Sequence, residues 1–208
     1  MEEVATMAHA KAMFKYRAVW LSAAYFLAYV GTEFSISGWI VSFLTRARHA
    51  TPFLASLSSS SFWTGMAVGR LCLGVVTDRV GVRRATTIYL SVAILLLISF
   101  AVAWSPVVSV LLASILGFSM GPLFPSGIVL LTRLLPTELH VSAVSFVNSV
   151  GQIGAALLPF AIGAAIQGLG IQVVVVVQIV QLLIALGLWL AFTRVKGDSA
   201  LSAVVAGA

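Results

Sequence analysis

Long apolar runs dominate the chain, and short polar connectors separate them. The runs cover residues 18–44, 52–76, 85–104, 106–132, 141–167 and 171–192. A helix needs about 20 mostly apolar residues to cross a hydrocarbon core of ~30 Å. Barrel strands would be segments of ~10 residues that alternate between apolar and polar positions, whereas these runs are continuously apolar. The pattern predicts an all-α, polytopic membrane helix bundle with six transmembrane helices.

The composition excludes a soluble globule. Of the 208 residues, 61% are hydrophobic and only 9% are charged, whereas an ordinary soluble domain carries about 25% charged residues. The lipid bilayer must therefore be the main surroundings of the chain. The net charge of +6 comes without a basic stripe or an aromatic-rich basic patch, so no nucleic-acid partner is expected.

The positive charges fall mainly on one side of the predicted membrane. When the connectors are assigned to alternate sides, two basic residues lie on one side, Arg70 lies within a span, and nine lie opposite: Lys11, Lys15, Arg17, Arg79, Arg83, Arg84, Arg133, Arg194 and Lys196. Cytosolic loops carry the excess of Lys and Arg. We therefore expect a multi-pass integral membrane protein with cytosolic tails at 1–17 and 194–208 and a transmembrane domain at 18–193.

An ionisable side chain interrupts the first apolar run. Glu33 lies deep in this span, and Ser22, Tyr25, Tyr29 and Ser37 share its face at spacings of three and four residues. A carboxyl group in the membrane is costly unless it faces a bundle interior or a watery cavity. The stripe predicts a substrate or proton site at Tyr29, Glu33 and Ser37; the alternative is a neutral glutamic acid bonded to a neighbouring helix.

Two further spans carry polar or helix-breaking residues. Pro122 and Pro125 remove backbone donors from the fourth span and predict a bend, which serves either gating or a static kink. Asn148 and Gln152 lie four residues apart on one face of the fifth span, where they can bind a hydroxylated solute or bond another helix. Arg70 lies close enough to the end of its span to snorkel or to pair with an acidic residue.

The string from residue 65 to residue 84, GMAVGRLCLGVVTDRVGVRR, is the most specific motif. It resembles the A-motif of the major facilitator superfamily, G-x-x-x-D-R-x-G-x-[RK]-[RK]. The matching positions are Gly74, Asp78, Arg79, Gly81, Arg83 and Arg84. A basic connector alone would be ordinary in a membrane protein, but this one follows the second span of a six-span unit, as the resemblance requires.

The resemblance implies a secondary carrier with twelve helices in two halves, each half an inverted pair of three-helix units around a central solute site. This chain is similar to the C-terminal half. The first-span G-x-E-x-S-x-x-G-W pattern and the fourth-span G-P-L-F-P-S are most similar to fucose-permease-like sugar carriers and their fungal relatives. The implied function is transport of a small polar, sugar-like solute, with a proton as a possible second ligand.

One half presents only one wall of such a site, so the resemblance also implies a partner. An N-terminal transporter half or self-association would supply the second wall. The alternative function is a non-transporting membrane interaction protein, or a fragment that needs an N-terminal half.

Enzyme motifs are missing from the sequence. It contains no G-x-S-G nucleophile, no H-E-x-x-H and no G-x-x-x-x-G-K-[ST], and its single cysteine excludes paired-cysteine metal sites. We therefore expect no catalytic activity, no cofactor and no metal.

Overall fold

The computed structural model describes residues 12–195, and within them the chain is helical with short connectors. A 3₁₀ turn at Thr137–Leu139 precedes the sixth of the following α-helices. They are α1 (Arg17–Ala47), α2 (Pro52–Val80), α3 (Val82–Val102), α4 (Pro106–Met120), α5 (Leu123–Leu134), α6 (His140–Leu169) and α7 (Val173–Thr193). Of the tails expected at 1–17 and 194–208, residues 12–17 and 194–195 are described, and the rest lie outside the described residues.

Five helical segments are long and apolar enough to cross a bilayer: α1, α3, α4 with α5, the 3₁₀ turn with α6, and α7. Helix α2 has 29 residues, which is long enough, but it is not among the five. A serine-rich stretch at 56–61 and charged residues at 70, 78 and 79 lower its hydropathy. The predicted run at 52–76 is therefore a helix of spanning length with a more polar surface than its neighbours.

The helices pack in a pattern with internal symmetry. α1 makes its most extensive contacts with α6, and α2 makes its most extensive contacts with α4. α1 also packs on α7, while α3 packs on α4 and α5. The most extensive contacts are retained when α1, α2 and α3 are exchanged with the α4–α5 unit, α6 and α7. The packing is therefore approximately symmetric between these two groups of helices.

Glycines allow the backbones of α2 and α4 to touch. A Cβ atom at Gly65 would overlap the carbonyl of Ser114, and one at Gly69 would overlap the carbonyl of Phe118. From the other side, a Cβ atom at Gly117 would overlap the carbonyl of Phe62. Small residues at a crossing let membrane helices approach closely and gain van der Waals contact. These glycines therefore define the α2–α4 interface.

A pair of glycine substitutions in α2 tests this interface. Gly69→Ala should lower the stability of the detergent-solubilised chain by roughly 1–3 kcal/mol, because the added methyl group meets a carbonyl that cannot rotate away. Gly74→Ala is the matched control, since nothing lies within 4 Å of a Cβ atom there and alanine favours a helix over glycine. Thermal unfolding should give a lower midpoint for Gly69→Ala than for Gly74→Ala. Equal midpoints would mean that the backbones of α2 and α4 do not touch at Gly69.

The connector expected between the second and third spans is not a loop. Residues 77–84 lie in helix except at Gly81, where α2 ends and α3 begins with φ at +91°. The expectation of a polar loop was wrong because charged side chains at 78–84 continue both helices beyond the apolar segments. Gly81 alone reverses the chain, and a positive φ is a conformation that glycine adopts without strain.

The two ends of the bundle are distinct. The end with the turn at Gly81 also carries Arg133 and Arg194, and we call it the Gly81 end. At the opposite end, the Arg48 guanidinium donates to the carbonyl of Phe100 and to the hydroxyl of Ser109. It also lies 4.5 Å from the centre of the Phe100 ring and 5.0 Å from that of Phe43. Arg48 thus fastens α1 to α3 and α4, a role that the sequence alone did not indicate.

Candidate functional site

Glu33 lies near the middle of α1, and its side chain is buried against α2. Its Oε1 atom is 3.9 Å from Nη2 of Arg70. The Arg70 side chain is 49% exposed, whereas that of Glu33 is only 6% exposed. The arginine therefore pairs with an acidic residue on the adjacent helix, which was one of the two expectations for it.

The charged groups of Glu33 and Arg70 are too far apart for a direct hydrogen bond, and we call this arrangement an open pair. Charge-assisted hydrogen bonds between nitrogen and oxygen measure about 2.7–2.9 Å, so a separation of 3.9 Å is an ion pair without a closed hydrogen bond. Nη2 of Arg70 also lies 3.3 Å from the sulfur of Met66 in the preceding turn. Both charged groups retain hydrogen-bonding capacity for a further polar group.

The expected interruption of the fourth span lies beside the pair. Helix α4 ends at Met120 and α5 begins at Leu123, with Gly121 and Pro122 between them. The hydroxyl of Tyr29 donates to the carbonyl of Met120 at 3.3 Å, and that of Tyr25 donates to the carbonyl of Leu123 at 3.4 Å. Side chains from α1 thus satisfy carbonyls at the break, which a bilayer could not do.

Helix α2 closes the other side of the break. A Cβ atom at Gly121 would lie 2.5 Å from the Met66 carbonyl oxygen and 2.7 Å from the backbone nitrogen of Arg70. The break therefore packs directly on the turn that carries Arg70. We call Glu33, Arg70, Tyr29 and the break at 120–123 the Glu33 site.

The polar stripe of α1 does not form an open surface. Tyr25 and Tyr29 are fully buried, and their rings stack with centres 5.8 Å apart. The hydroxyl of Ser22 donates to the carbonyl of Val19 in its own helix. Ser37 is half-buried and donates to the carbonyl of Phe34. The interrupted fourth span covers the two tyrosines, so neither lines an open cavity. The site at Tyr29, Glu33 and Ser37 stays a prediction.

Asn148 and Gln152 lie elsewhere, on the exposed face of α6. With Ser145 and Ser149 they form a polar stripe that occupies roughly 100° of the helix circumference. Within residues 12–195 neither amide side chain makes a hydrogen bond. The structure therefore does not bring them to Glu33, although α6 adjoins α1 closely enough that a Cβ atom at Gly154 would overlap the carbonyl of Leu27.

Two polar side chains outside the predicted site join other helices to α1. Gln178 of α7 donates to the carbonyl of Ser35 at 3.1 Å. Trp39 of α1 donates through its indole nitrogen to the carbonyl of Pro159 at 3.0 Å. Both bonds hold α1 in the centre of the bundle, and in both the acceptor is a backbone carbonyl that sequence patterns cannot identify.

The A-motif residues surround the turn at Gly81. Tyr89 braces this turn, because its hydroxyl donates to the carbonyl of Leu73 and lies 3.2 Å from the side-chain hydroxyl of Thr77. Asp78 is exposed in the last turn of α2, and its carboxylate has no hydrogen-bond or ion-pair partner in the described part of the chain. A negative charge is unfavourable at a helix C-terminus, so Asp78 does not serve to cap its own helix.

Among residues 12–195, no three His, Cys, Asp or Glu side chains lie close enough together to hold a metal ion.

Comparison with known proteins places the chain in a family. Residues 21–206 match the Major Facilitator Superfamily. The chain is 33% identical over 165 residues to "Bypass of stop codon protein 6" of Saccharomyces cerevisiae, covering 74% of this chain and 33% of that protein. It is 25% identical over 141 residues to the "Glucose/mannose transporter GlcP" of Bacillus subtilis, covering 65% of this chain and 33% of that protein.

The chain thus spans about a third of the length of these curated relatives. The family match, by contrast, extends over most of its own residues. The all-helical bundle and its apolar helices agree with that match. The chain belongs to the major facilitator superfamily, whose members carry solutes across membranes.

Proposed function

We propose that this chain supplies the C-terminal six-helix half of a secondary carrier for a small polar, sugar-like solute, with the Glu33 site binding substrate or proton. The observation that carries the proposal is the open pair of Glu33 and Arg70 beside an interrupted helix. Carriers of this kind bind solutes near mid-membrane at discontinuous helices. The buried carboxylate and the half-exposed guanidinium offer an acceptor and donors to a hydroxylated solute.

The sugar class has three supports. One relative is named for glucose and mannose transport, and the first- and fourth-span patterns resemble sugar carriers. A carboxylate, a guanidinium and the amides of Asn148 and Gln152 are also the groups that bind sugar hydroxyls without requiring a charged ligand. The solute we propose is therefore neutral and rich in hydroxyl groups.

Helix α2 is proposed as the sixth span. Its length of 29 residues corresponds to about 43 Å of helix, which exceeds the ~30 Å hydrocarbon core. Its serines and Arg70 reduce its hydropathy because part of α2 faces the solute path instead of lipid. The exchange symmetry of the packing supports two inverted three-helix units, since an odd number of spans inverts the second unit.

A second wall must complete the site. The polar stripe of Ser145, Asn148, Ser149 and Gln152 is exposed, and polar side chains are poorly placed against lipid. We propose that this stripe faces the solute path and a partner, either an N-terminal transporter half or a second copy of the chain. The alternative function, a non-transporting interaction protein, would use the same stripe only for docking.

Uptake of labelled sugars by cells that lack their own sugar carriers distinguishes these functions. Cells that express the chain should accumulate glucose or mannose, alone or with an added six-helix N-terminal half. Glu33→Gln should abolish accumulation of the sugar above its external concentration, whereas Glu138→Gln, at an exposed position of the 3₁₀ turn, should leave it intact. Uptake that is insensitive to Glu33 would place the solute site elsewhere in the chain. Uptake that depends on the chain only through another carrier would support the docking function.

The proposed orientation gives a separate prediction. Ser105 is exposed at the start of α4, and Thr137 is exposed at the Gly81 end. In a Cys72→Ala background, which removes an exposed thiol, Thr137→Cys should react with an impermeant maleimide only from the cytosol. Ser105→Cys should react only from the opposite side. Labelling of both cysteines from one side would contradict six spans with cytosolic termini.

A further inference from the structure

A cavity of about 470 Å³ opens at the Gly81 end between the α2–α3 turn and the end of α5. Arg83 and Arg84 of the first turn of α3 line it, and so does Arg133 of the last turn of α5. The remaining wall is mostly apolar and includes Val80, Leu130 and Leu134. Three arginines from two separate segments therefore line one space whose other walls are apolar.

Among residues 12–195, no acidic side chain lines this cavity. Asp78 and Glu138 are exposed nearby in sequence, but within residues 12–195 neither lies within 4.0 Å of an arginine nitrogen. Within residues 12–195, the ion pair joins Arg70 to Glu33, and neither residue lines the cavity. Like charges around one cavity repel each other, so an anion bound in the cavity would stabilise the arrangement.

The backbone adds to the positive potential. Helix α3 begins at Val82 without a side-chain cap and without an acidic residue in its first turn. Its first N–H groups have no partner within the helix, and the helix dipole is positive at this end. Phosphate oxygens accept from arginine forks and from such N–H groups. The cavity therefore favours an oxyanion such as a phosphate group.

The surroundings indicate where the phosphate comes from. A second cavity, of about 430 Å³, shares Arg83 and Arg84 and is also lined by Thr87, Ile88 and Thr193. Ile88 is 53% exposed on the outer face of α3, which is one of the apolar spanning helices. The arginines thus stand at the boundary between a charged pocket and a lipid-facing helix surface. A phospholipid offers a phosphate and acyl chains in this arrangement, whereas a soluble phosphate offers only the first.

We propose that Arg83, Arg84 and Arg133 form a binding site for the phosphate of an anionic phospholipid, whose acyl chains lie along the outer face of α3. Basic pockets between helices at the cytosolic side of membrane proteins bind such headgroups. Binding ties the end of α5 to the α2–α3 turn, across the boundary between the two three-helix units.

Native mass spectrometry of the full chain tests the site. The chain is purified in neutral detergent and mixed with equal amounts of phosphatidylglycerol and phosphatidylcholine, and the ratio of the two bound lipids is measured. We expect a preference of about tenfold for phosphatidylglycerol. Arg133→Gln should lower it about fivefold, because each basic residue contributes roughly that factor near an anionic headgroup. Arg46→Gln is the matched control, since Arg46 is exposed at the opposite end, and it should leave the ratio unchanged.

Arg133 is exposed and, within residues 12–195, its side chain makes no hydrogen bond, so its replacement removes no internal hydrogen bond. The double variant Arg83→Gln with Arg84→Gln is an independent second test. An equal loss of preference in Arg46→Gln would show that general surface charge is responsible and would overturn the site. An unchanged ratio in both site variants would overturn it as well. Displacement of phosphatidylglycerol by millimolar inorganic phosphate would show that the site binds soluble phosphate, and it would overturn the lipid as its ligand. Transport does not enter the measurement, so its outcome is independent of the proposed function.

Discussion

Replacing Glu33 with glutamine is expected to abolish uphill accumulation of solute while sparing part of the exchange of solute across the membrane. Glutamine keeps the shape of the side chain and its acceptor oxygen, but it cannot gain or lose a proton. If proton and solute share this carboxyl group, only the coupling between them depends on its titration. The loss in accumulation should be at least about tenfold, as expected when a group that supplies coupling is removed.

The measurement is solute accumulation in vesicles under an imposed pH gradient, compared with counterflow of solute without a gradient. Glu138→Gln makes the same chemical change at an exposed position and should behave as the unmodified protein. Arg70→Gln should weaken both accumulation and counterflow, because it removes a donor to solute and leaves Glu33 without its ion-pair partner. Accumulation by Glu33→Gln with an unchanged pH dependence would make Glu33 a structural group.

Replacing Asp78 with asparagine should slow transport about tenfold without lowering the stability of the chain. Asp78 is exposed at the C-terminal end of α2, where its charge is unfavourable for its own helix. Removing that charge therefore costs the isolated bundle nothing. In a complete carrier, a carboxylate at a helix end can form charge-assisted bonds in one conformation and lose them in the other.

Two measurements on the same variant separate these effects. Thermal unfolding of the solubilised chain should give a midpoint equal to or above that of the unmodified protein. Initial rates of solute uptake should fall, whereas Glu138→Gln should retain normal rates. Normal uptake by a well-expressed Asp78→Asn protein would exclude a role in conformational switching, and a lowered midpoint would indicate an internal contact that the structure does not contain.

The helices were predictable because lipid imposes a simple rule. Continuous apolar runs have to be helical, and the prolines at 122 and 125 mark the interruption of the fourth span because they lack the donors that a helix requires. The burial of Glu33 follows from the cost of exposing a carboxyl group to hydrocarbon. These features depend on local sequence and on the solvent, so a single sequence contains them.

Contacts between distant segments were not predictable. Nothing in the spacing of Glu33 and Arg70 identifies them as partners, because they lie on different helices with independent rotations. The burial of Tyr25 and Tyr29 depends on where the break in the fourth span packs, and their acceptors are backbone carbonyls at 120 and 123. The continuation of α2 to Val80 was missed because polar residues at helix ends resemble loops.

Substrate protection of Glu33 tests the central claim most directly. Dicyclohexylcarbodiimide, an apolar reagent, modifies carboxyl groups in apolar surroundings, and peptide mass spectrometry locates the adduct. In membranes that contain the full chain, Glu33 should be modified, and saturating glucose or mannose should reduce the rate of its modification several-fold while modification at Glu138 stays the same. Modification of Glu33 at an equal rate with and without any sugar that the protein transports would contradict a solute site at Glu33.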